Sequence, residues 1–340
     1  MGPVPVGLPV FIVAALVGLA ASWVLVSRIE RLGTRFGMSG ALLGVVAALA
    51  ADSPEITAAV TAFGNRQGTV GAGVVLGSNV FNLAALLGLS ALITGRIHLH
   101  RRVVLLSGTV AVWVAAMSAL TAVGTLSAPA GLALVIAVLV PYVVVLGVRR
   151  SRIRRLPLPS TWVSWLVRAV TEEEVELAEA ETHRAFRGRD LWTAGIALLV
   201  VVVASVTMER SVSELGRHYA VSDLVVGALL LAGVTSLPNV VSAVYLALRG
   251  RGAAVLSTAL NSNALNVGIG WLLPATVAGV AGGSRHGPLV AFFYLGLTVG
   301  ALAMAYYRRG LGRWAALLIL VTYVAFAGAV LASVRLSPTG

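Results

Sequence analysis

The chain has 340 residues, 58% hydrophobic and 11% charged, well under half the roughly 25% charged residues of an ordinary soluble domain. A mean hydropathy of +0.94 and repeated apolar runs of about 20 residues exclude a soluble globular protein. The lack of cysteine excludes disulfide frameworks, thiolate metal sites and thiol nucleophiles. The net charge of +12, whose basic side is all arginine, is the excess that holds a membrane protein against anionic lipid, and it does not call for a nucleic-acid partner.

Runs long enough to cross a bilayer lie at 8–28, 38–65, 69–95, 103–124, 128–148, 190–208, 222–248, 253–281, 287–307 and 313–334. They predict an all-α polytopic protein of ten transmembrane helices. The first run follows no basic segment and precedes no small-residue cleavage site, so it is expected to stay as a helix. With ten spans the loops alternate sides, and 20 arginines fall on one side against 5 on the other. The excess marks the first side as cytoplasmic and places both termini outside, in the cell membrane of a bacterium. The one long polar segment, 149–189, lies on the arginine-rich side. It opens with Arg149, Arg150, Arg152, Arg154 and Arg155, passes Pro157 and Pro159, and reaches Thr171-Glu172-Glu173-Glu174, whose capping-box spacing predicts a short acidic helix starting there. It reads as a solvated linker; a cation-sensing element is the alternative, and no Asp-x-Asp-x-Asp-Gly loop favours it.

An internal repeat organises the rest. Residues 54–82 align without a gap on 238–266 at an offset of 184, matching Pro54 with Pro238, Ser78-Asn79 with Ser262-Asn263 and Asn82 with Asn266. All seven asparagines of the chain fall inside these two blocks. The same offset carries span one onto span six and span five onto span ten, giving a first five-helix repeat (1–148), the linker (149–189) and a second five-helix repeat (190–340). An odd number of spans per unit inverts the second relative to the first, the arrangement of many secondary transporters. Pro54 and Pro238 sit inside spans, where each removes a backbone donor and breaks the helix. Paired breaks of this kind point to a transport site near the midplane, whereas Ser and Asn acting only as interhelical glue is the plainer alternative.

Of thirteen acidic residues, only Asp52 and Glu55 fall inside a hydrophobic run. A carboxylate there costs at least about 2.5 to 3.5 kcal/mol on insertion scales and ordinarily serves an ion or proton path; protonated, structurally hydrogen-bonded carboxyls are the alternative. The two blocks offer oxygens from Asp52, Glu55, Ser78, Asn82, Thr235, Ser236, Asn239, Ser262 and Asn266. Such a set suits a hard cation, calcium or sodium, with Asp52, Glu55, Asn82 and Asn266 as the main metal ligands. Protons compete for the same carboxylates. The chain has no G-x-x-x-x-G-K-S/T loop to couple it to ATP, so transport is expected to be secondary, with no cofactor and no enzymatic activity.

The motifs Ala50-Ala51-Asp52-Ser53-Pro54-Glu55 with Gly77-Ser78-Asn79-Val80-Phe81-Asn82, and Gly233-Val234-Thr235-Ser236-Leu237-Pro238-Asn239 with Asn261-Ser262-Asn263-Ala264-Leu265-Asn266, resemble those of the cation/calcium antiporter superfamily. Its two alpha-repeats read roughly Gly-Thr-Ser-x-Pro-Glu followed by Gly-Ser-Asn-x-x-Asn. In this chain the corresponding stretches are 50–82 and 233–266. The resemblance implies exchange of calcium for sodium or protons by alternating access, with Glu55 as principal ligand, Ser78, Asn82, Thr235, Ser236, Ser262 and Asn266 around it, and spans one and six sliding past the other eight. Two positions depart from the pattern. Asn239 stands where the second repeat has its acid, and Asp52 stands where serine or threonine is usual. Asp52 restores the missing charge if it is a ligand. A single-carboxylate monovalent cation/proton antiporter and a transport-inactive membrane scaffold remain as the other readings.

Overall fold

The computed structural model describes residues 7–35, 40–147, 153, 159–178, 188–279 and 287–335. Apart from two three-residue strands its regular structure is helical, as hydrocarbon demands: a helix satisfies its backbone groups internally. The first half comprises α1 (Gly7–Arg35), α2 (Gly40–Ala51), α3 (Ser53–Gly64), α4 (Gly68–Thr94), α5 (Arg101–Val123) and α6 (Ala128–Gly147). A linker helix, α7 (Ser160–Ala178), follows. The second half comprises α8 (Arg189–His218), α9 (Asp223–Thr235), α10 (Leu237–Leu248), α11 (residues 252–278), α12 (Gly287–Arg308) and α13 (Arg313–Arg335). Among the described residues seven helices are long and apolar enough to cross a membrane, and the bent pairs α2–α3 and α9–α10 raise this to nine. The remaining expected span is α11, which corresponds to α4 at the repeat offset but is dotted with Asn261, Ser262, Asn263 and Asn266.

Both breaks fall where the prolines predict them. The chain bends by 55° between α2 and α3 and by 46° between α9 and α10, with Pro54 and Pro238 in the first turn of the second piece. At the first break the Ser53 hydroxyl donates to the Ala50 carbonyl at 2.7 Å, supplying the partner that Pro54 cannot. Each half also carries π-helical turns at matched positions, Leu83–Leu89 within α4 and Asn266–Leu272 within α11.

The halves are inverted. Helices α1 and α8 run antiparallel: Gly7 abuts Leu215, Gly18 abuts Ala204, and Arg28 pairs with Asp190 at the far end. Asn79 donates through Nδ2 to the Asn263 carbonyl at 3.0 Å and Asn263 returns the same bond at 3.0 Å. Because the repeat operator exchanges these two residues, the pseudo-two-fold axis passes between them. Loops assigned to one side by counting also meet. On the arginine-rich side, Arg96–His98 pairs antiparallel with Gly310–Gly312, Arg28 and Arg31 bind Asp190, and Arg102 binds Glu172. On the opposite side, Asn65, Gln67, Glu209, Arg210 and Arg217 line a cavity of about 230 Å³.

Several sequence expectations shift. Helices α1 and α8 extend past 28 and 208 to Arg35 and His218, and Asp190 and Glu209, at the ends of the sixth hydrophobic run, are fully buried. The linker helix begins at Ser160, eleven residues before the capping box, so Thr171 is internal and its hydroxyl donates to the Val167 carbonyl at 2.7 Å. The alternation of Val163, Leu166, Val167 and Val170 forms an apolar stripe at helical spacing. It is docked, not solvated: Ala169 and Val170 are fully buried and the helix packs on α2, α5 and α11. The linker's arginine run and residues 179–187 lie outside the described residues.

Candidate cation-binding site

Asp52 sits at the break itself and Glu55 in the first turn of α3, one turn along the same face, so the bend places both carboxyl groups against the second half. Asp52 Oδ1 accepts hydrogen bonds from Asn239 Nδ2 at 2.7 Å and Ser262 Oγ at 2.6 Å. Glu55 Oε1 accepts from Ser236 Oγ, and Oε2 from Asn266 Nδ2 at 3.1 Å. Asn239 and Ser236 are the repeat counterparts of Glu55 and Asp52, so each carboxylate meets the residue that mirrors its neighbour. Asn82 Nδ2 donates to Ser262 Oγ and to Asn263 Oδ1, both at 3.2 Å. The side chains of Asp52, Glu55, Asn82, Ser236, Asn239, Ser262 and Asn266 are fully buried.

Burying two carboxylates without a basic partner is costly. The ion pairs among the described residues join Arg28 and Arg31 to Asp190 and Arg102 to Glu172; neither site carboxylate has one. Four buried oxygens at the site, Asp52 Oδ2, Asn82 Oδ1, Asn239 Oδ1 and Asn266 Oδ1, receive no hydrogen bond. Buried acceptors without donors are what an oxygen-seeking cation satisfies. No group of three or more His, Cys, Asp and Glu side chains gathers among the described residues, so a cation here would rely on amide and hydroxyl oxygens beside the acids.

Two expected site residues donate to their own helix and not to the carboxylates. The Ser78 hydroxyl donates to the Val75 carbonyl at 2.9 Å and the Thr235 hydroxyl to the Leu231 carbonyl at 2.8 Å, leaving only their lone pairs for a ligand. Two residues absent from the expected set are central: Asn79 and Asn263 lock the halves at the axis, and Asn79 Oδ1 also accepts from Asn266 Nδ2 at 3.4 Å. Their place in matched Ser-Asn pairs was the available signal.

Residues 6–149 and 190–332 match the sodium/calcium exchanger protein family, covering both repeats and omitting the linker. The chain belongs to that family. The chain is 26% identical over 256 residues to the inner membrane protein YrbG of Escherichia coli, covering 71% of each. It is 28% identical over 128 residues to sodium/potassium/calcium exchanger 1 of Bos taurus, a match spanning 37% of this chain and 10% of that protein. The solved structure of the sodium-calcium exchanger NCX_Mj, soaked with sodium and strontium, superposes with a TM-score of 0.62 at 19% identity, covering 95% of this chain and 98% of that one. That likeness establishes the fold, and family and fold together make this a membrane cation antiporter.

Proposed function

We propose that the protein exchanges calcium for sodium or protons by alternating access, with Asp52 and Glu55 supplying the charge and Asn82, Ser236, Asn239, Ser262 and Asn266 completing an oxygen shell. The observation that carries this reading is the pair of fully buried carboxylates, neither with a basic partner among the described residues, with one donorless oxygen of their own, Asp52 Oδ2, and three more on Asn82, Asn239 and Asn266. Two negative charges match one divalent ion, and losing the second repeat's acid to Asn239 is compensated locally, since Asn239 Nδ2 lies 2.7 Å from Asp52. The antiparallel pair α1–α8 is the element that slides. Its two helices meet each other through small residues such as Gly18 and Ala204, and small side chains let helix backbones approach closely, so the pair moves as one unit.

Sidedness follows from arginine excess: the face with Arg28, Arg96, Arg101 and Arg249 is cytoplasmic and both termini are external. The cargo is the transported cation, the surroundings are lipid, and no cofactor is required. Reconstituted vesicles loaded with calcium and exposed to an inward sodium or proton gradient test the reading. Calcium efflux that depends on the gradient and on Glu55 is expected; gradient-independent vesicles would overturn it.

A further inference from the structure

A second buried polar group lies outside the site. Tyr142 Oη on α6 donates to Asn261 Oδ1 on α11 at 3.0 Å and lies 3.3 Å from Ser107 Oγ on α5, while Asn261 Nδ2 donates to Ser257 Oγ at 3.0 Å. Three helices place this group at one depth. Ser107 is six residues from the start of α5, Tyr142 five from the end of α6, and Ser257 five from the start of α11, about 8 to 9 Å in each case at the helical rise. All three ends lie on the arginine-rich side, and Asn261 adjoins Ser262, which donates to Asp52. The cluster therefore stands between that face and the carboxylates.

The repeat operator makes the placement informative. Subtracting or adding the offset of 184 maps Ser257 and Asn261 onto Gly73 and Gly77, Ser107 onto Ala291 and Tyr142 onto Phe326. In the other half nothing polar remains at these positions. Phe326 packs in an aromatic group with Phe293 at 5.5 Å and Tyr323 at 5.9 Å. Gly77 lies so close to α9 that a Cβ there would sit 2.4 Å from the Ala228 carbonyl oxygen, and one on Gly227 would sit 2.5 Å from that of Val70. Ser107, Ser257, Asn261 and Tyr142 keep 2%, 3%, 5% and 6% exposure, whereas Ala291 and Phe326 keep none. The first half's Ser107 and Tyr142 and the second half's Ser257 and Asn261 thus form a buried polar cluster towards the arginine-rich side, whereas at the matched positions α4 and α9 pack backbone against backbone and the side chains are apolar.

We propose that Ser107, Tyr142, Ser257 and Asn261 are a relay site for the transported hard cation between the arginine-rich face and the Asp52–Glu55 pair, and that the opposite entrance has no such site. The four side chains present hydroxyl and amide oxygens, enough to replace part of a hydration shell. They carry no charge, so the ion is held weakly enough to move on. On the opposite side the ion must cross in one step, once the α1–α8 pair slides. This inference rests on the cation-exchange reading, and a merely structural role for the cluster would affect both faces equally.

The test compares wild type, Tyr142→Phe and Asn261→Ala in proteoliposomes, with the apparent KM for calcium measured separately from each face. A single cysteine at position 66 in this cysteine-free chain reports orientation. Loss of one oxygen contact is expected to raise KM about fivefold from the arginine-rich face and leave the other face unchanged; equal shifts on both faces would overturn the relay. A second readout needs no flux: Ser107→Cys should react with an impermeant methanethiosulfonate from the arginine-rich face and be protected by calcium, and the matched Ala291→Cys should not react from the opposite face. An unreactive Ser107→Cys, or reaction from the other face, would also overturn it. Absence of wild-type flux for calcium, sodium, potassium and protons alike would instead remove the exchange reading, and the labelling would still decide the access route.

Discussion

Asp52→Asn isolates charge from shape at the residue that departs most from the family pattern. Its Oδ1 holds the Asn239 and Ser262 donors at 2.7 and 2.6 Å, and its Oδ2 has no partner, so asparagine can keep both hydrogen bonds and place its amide nitrogen where no bond is lost. What changes is one negative charge. At about 4 Å and an effective dielectric near 20, a carboxylate stabilises a monovalent ion by about 4 kcal/mol and a divalent ion by about twice that. The variant therefore penalises calcium over sodium by up to about 4 kcal/mol, and rearrangement of amide oxygens and water brings the expected loss to about a hundredfold in relative affinity, each tenfold being about 1.4 kcal/mol. The assay is calcium-45 and sodium-22 uptake at matched protein density, with sodium competition curves giving the affinity ratio. Equal weakening of both ions, or none, would refute the assignment of Asp52 as a ligand and leave Glu55 as the sole charge of a monovalent site.

The charge should also be movable between halves: Asp52→Ser is expected to lose calcium flux, and adding Asn239→Glu to recover part of it, because the two positions are in hydrogen-bond contact. Ser262→Ala removes the donor to Asp52 and the acceptor for Asn82 and Asn239, and calcium KM should rise about fivefold while the protein still inserts and elutes as wild type by size exclusion. Gly77→Ala drives a Cβ into Ala228. Overpacking of this kind costs about 1 to 3 kcal/mol, so a lower melting temperature in detergent is expected, whereas Gly300→Ala, with open space around it, should melt as wild type. Asp190→Asn weakens the bonds from Arg28 and Arg31. A buried acceptor of charged donors contributes about 1.5 to 3 kcal/mol, and the loss should appear as freer proteolysis at the α1 and α8 ends on the arginine-rich face.

Much of the site was legible because its signals are chemically rare. Two carboxylates in apolar runs, seven asparagines confined to matched blocks and two prolines at one repeat position stand out against a background of Ala, Val, Leu and Gly. The extents of α1 and α8 were not legible from hydropathy, since their last turns carry Arg31 and Glu209 to Arg217 and are held by contacts between the halves. The strand pair Arg96–His98 with Gly310–Gly312 joins residues more than two hundred positions apart, and no local pattern announces it. In the linker helix, the capping-box spacing at Thr171 competed with an apolar stripe beginning near Val163. The stripe prevailed because docking on α2, α5 and α11 buries it, whereas a cap contributes only about 1 kcal/mol. The π-helical turns after Asn82 and from Asn266 reflect packing against the opposite half, which single-residue propensities do not encode.

The most direct measurement is calcium efflux from proteoliposomes driven by an imposed sodium or proton gradient, in wild type and Glu55→Gln side by side. Glu55 accepts from Ser236 and Asn266 across the pseudo-two-fold interface, and glutamine preserves its shape and packing while removing its charge. Gradient-dependent efflux in wild type, with none in a folded and inserted Glu55→Gln, is the predicted result. Efflux that persists in Glu55→Gln at the wild-type rate would contradict the assignment of this buried pair as the transport site.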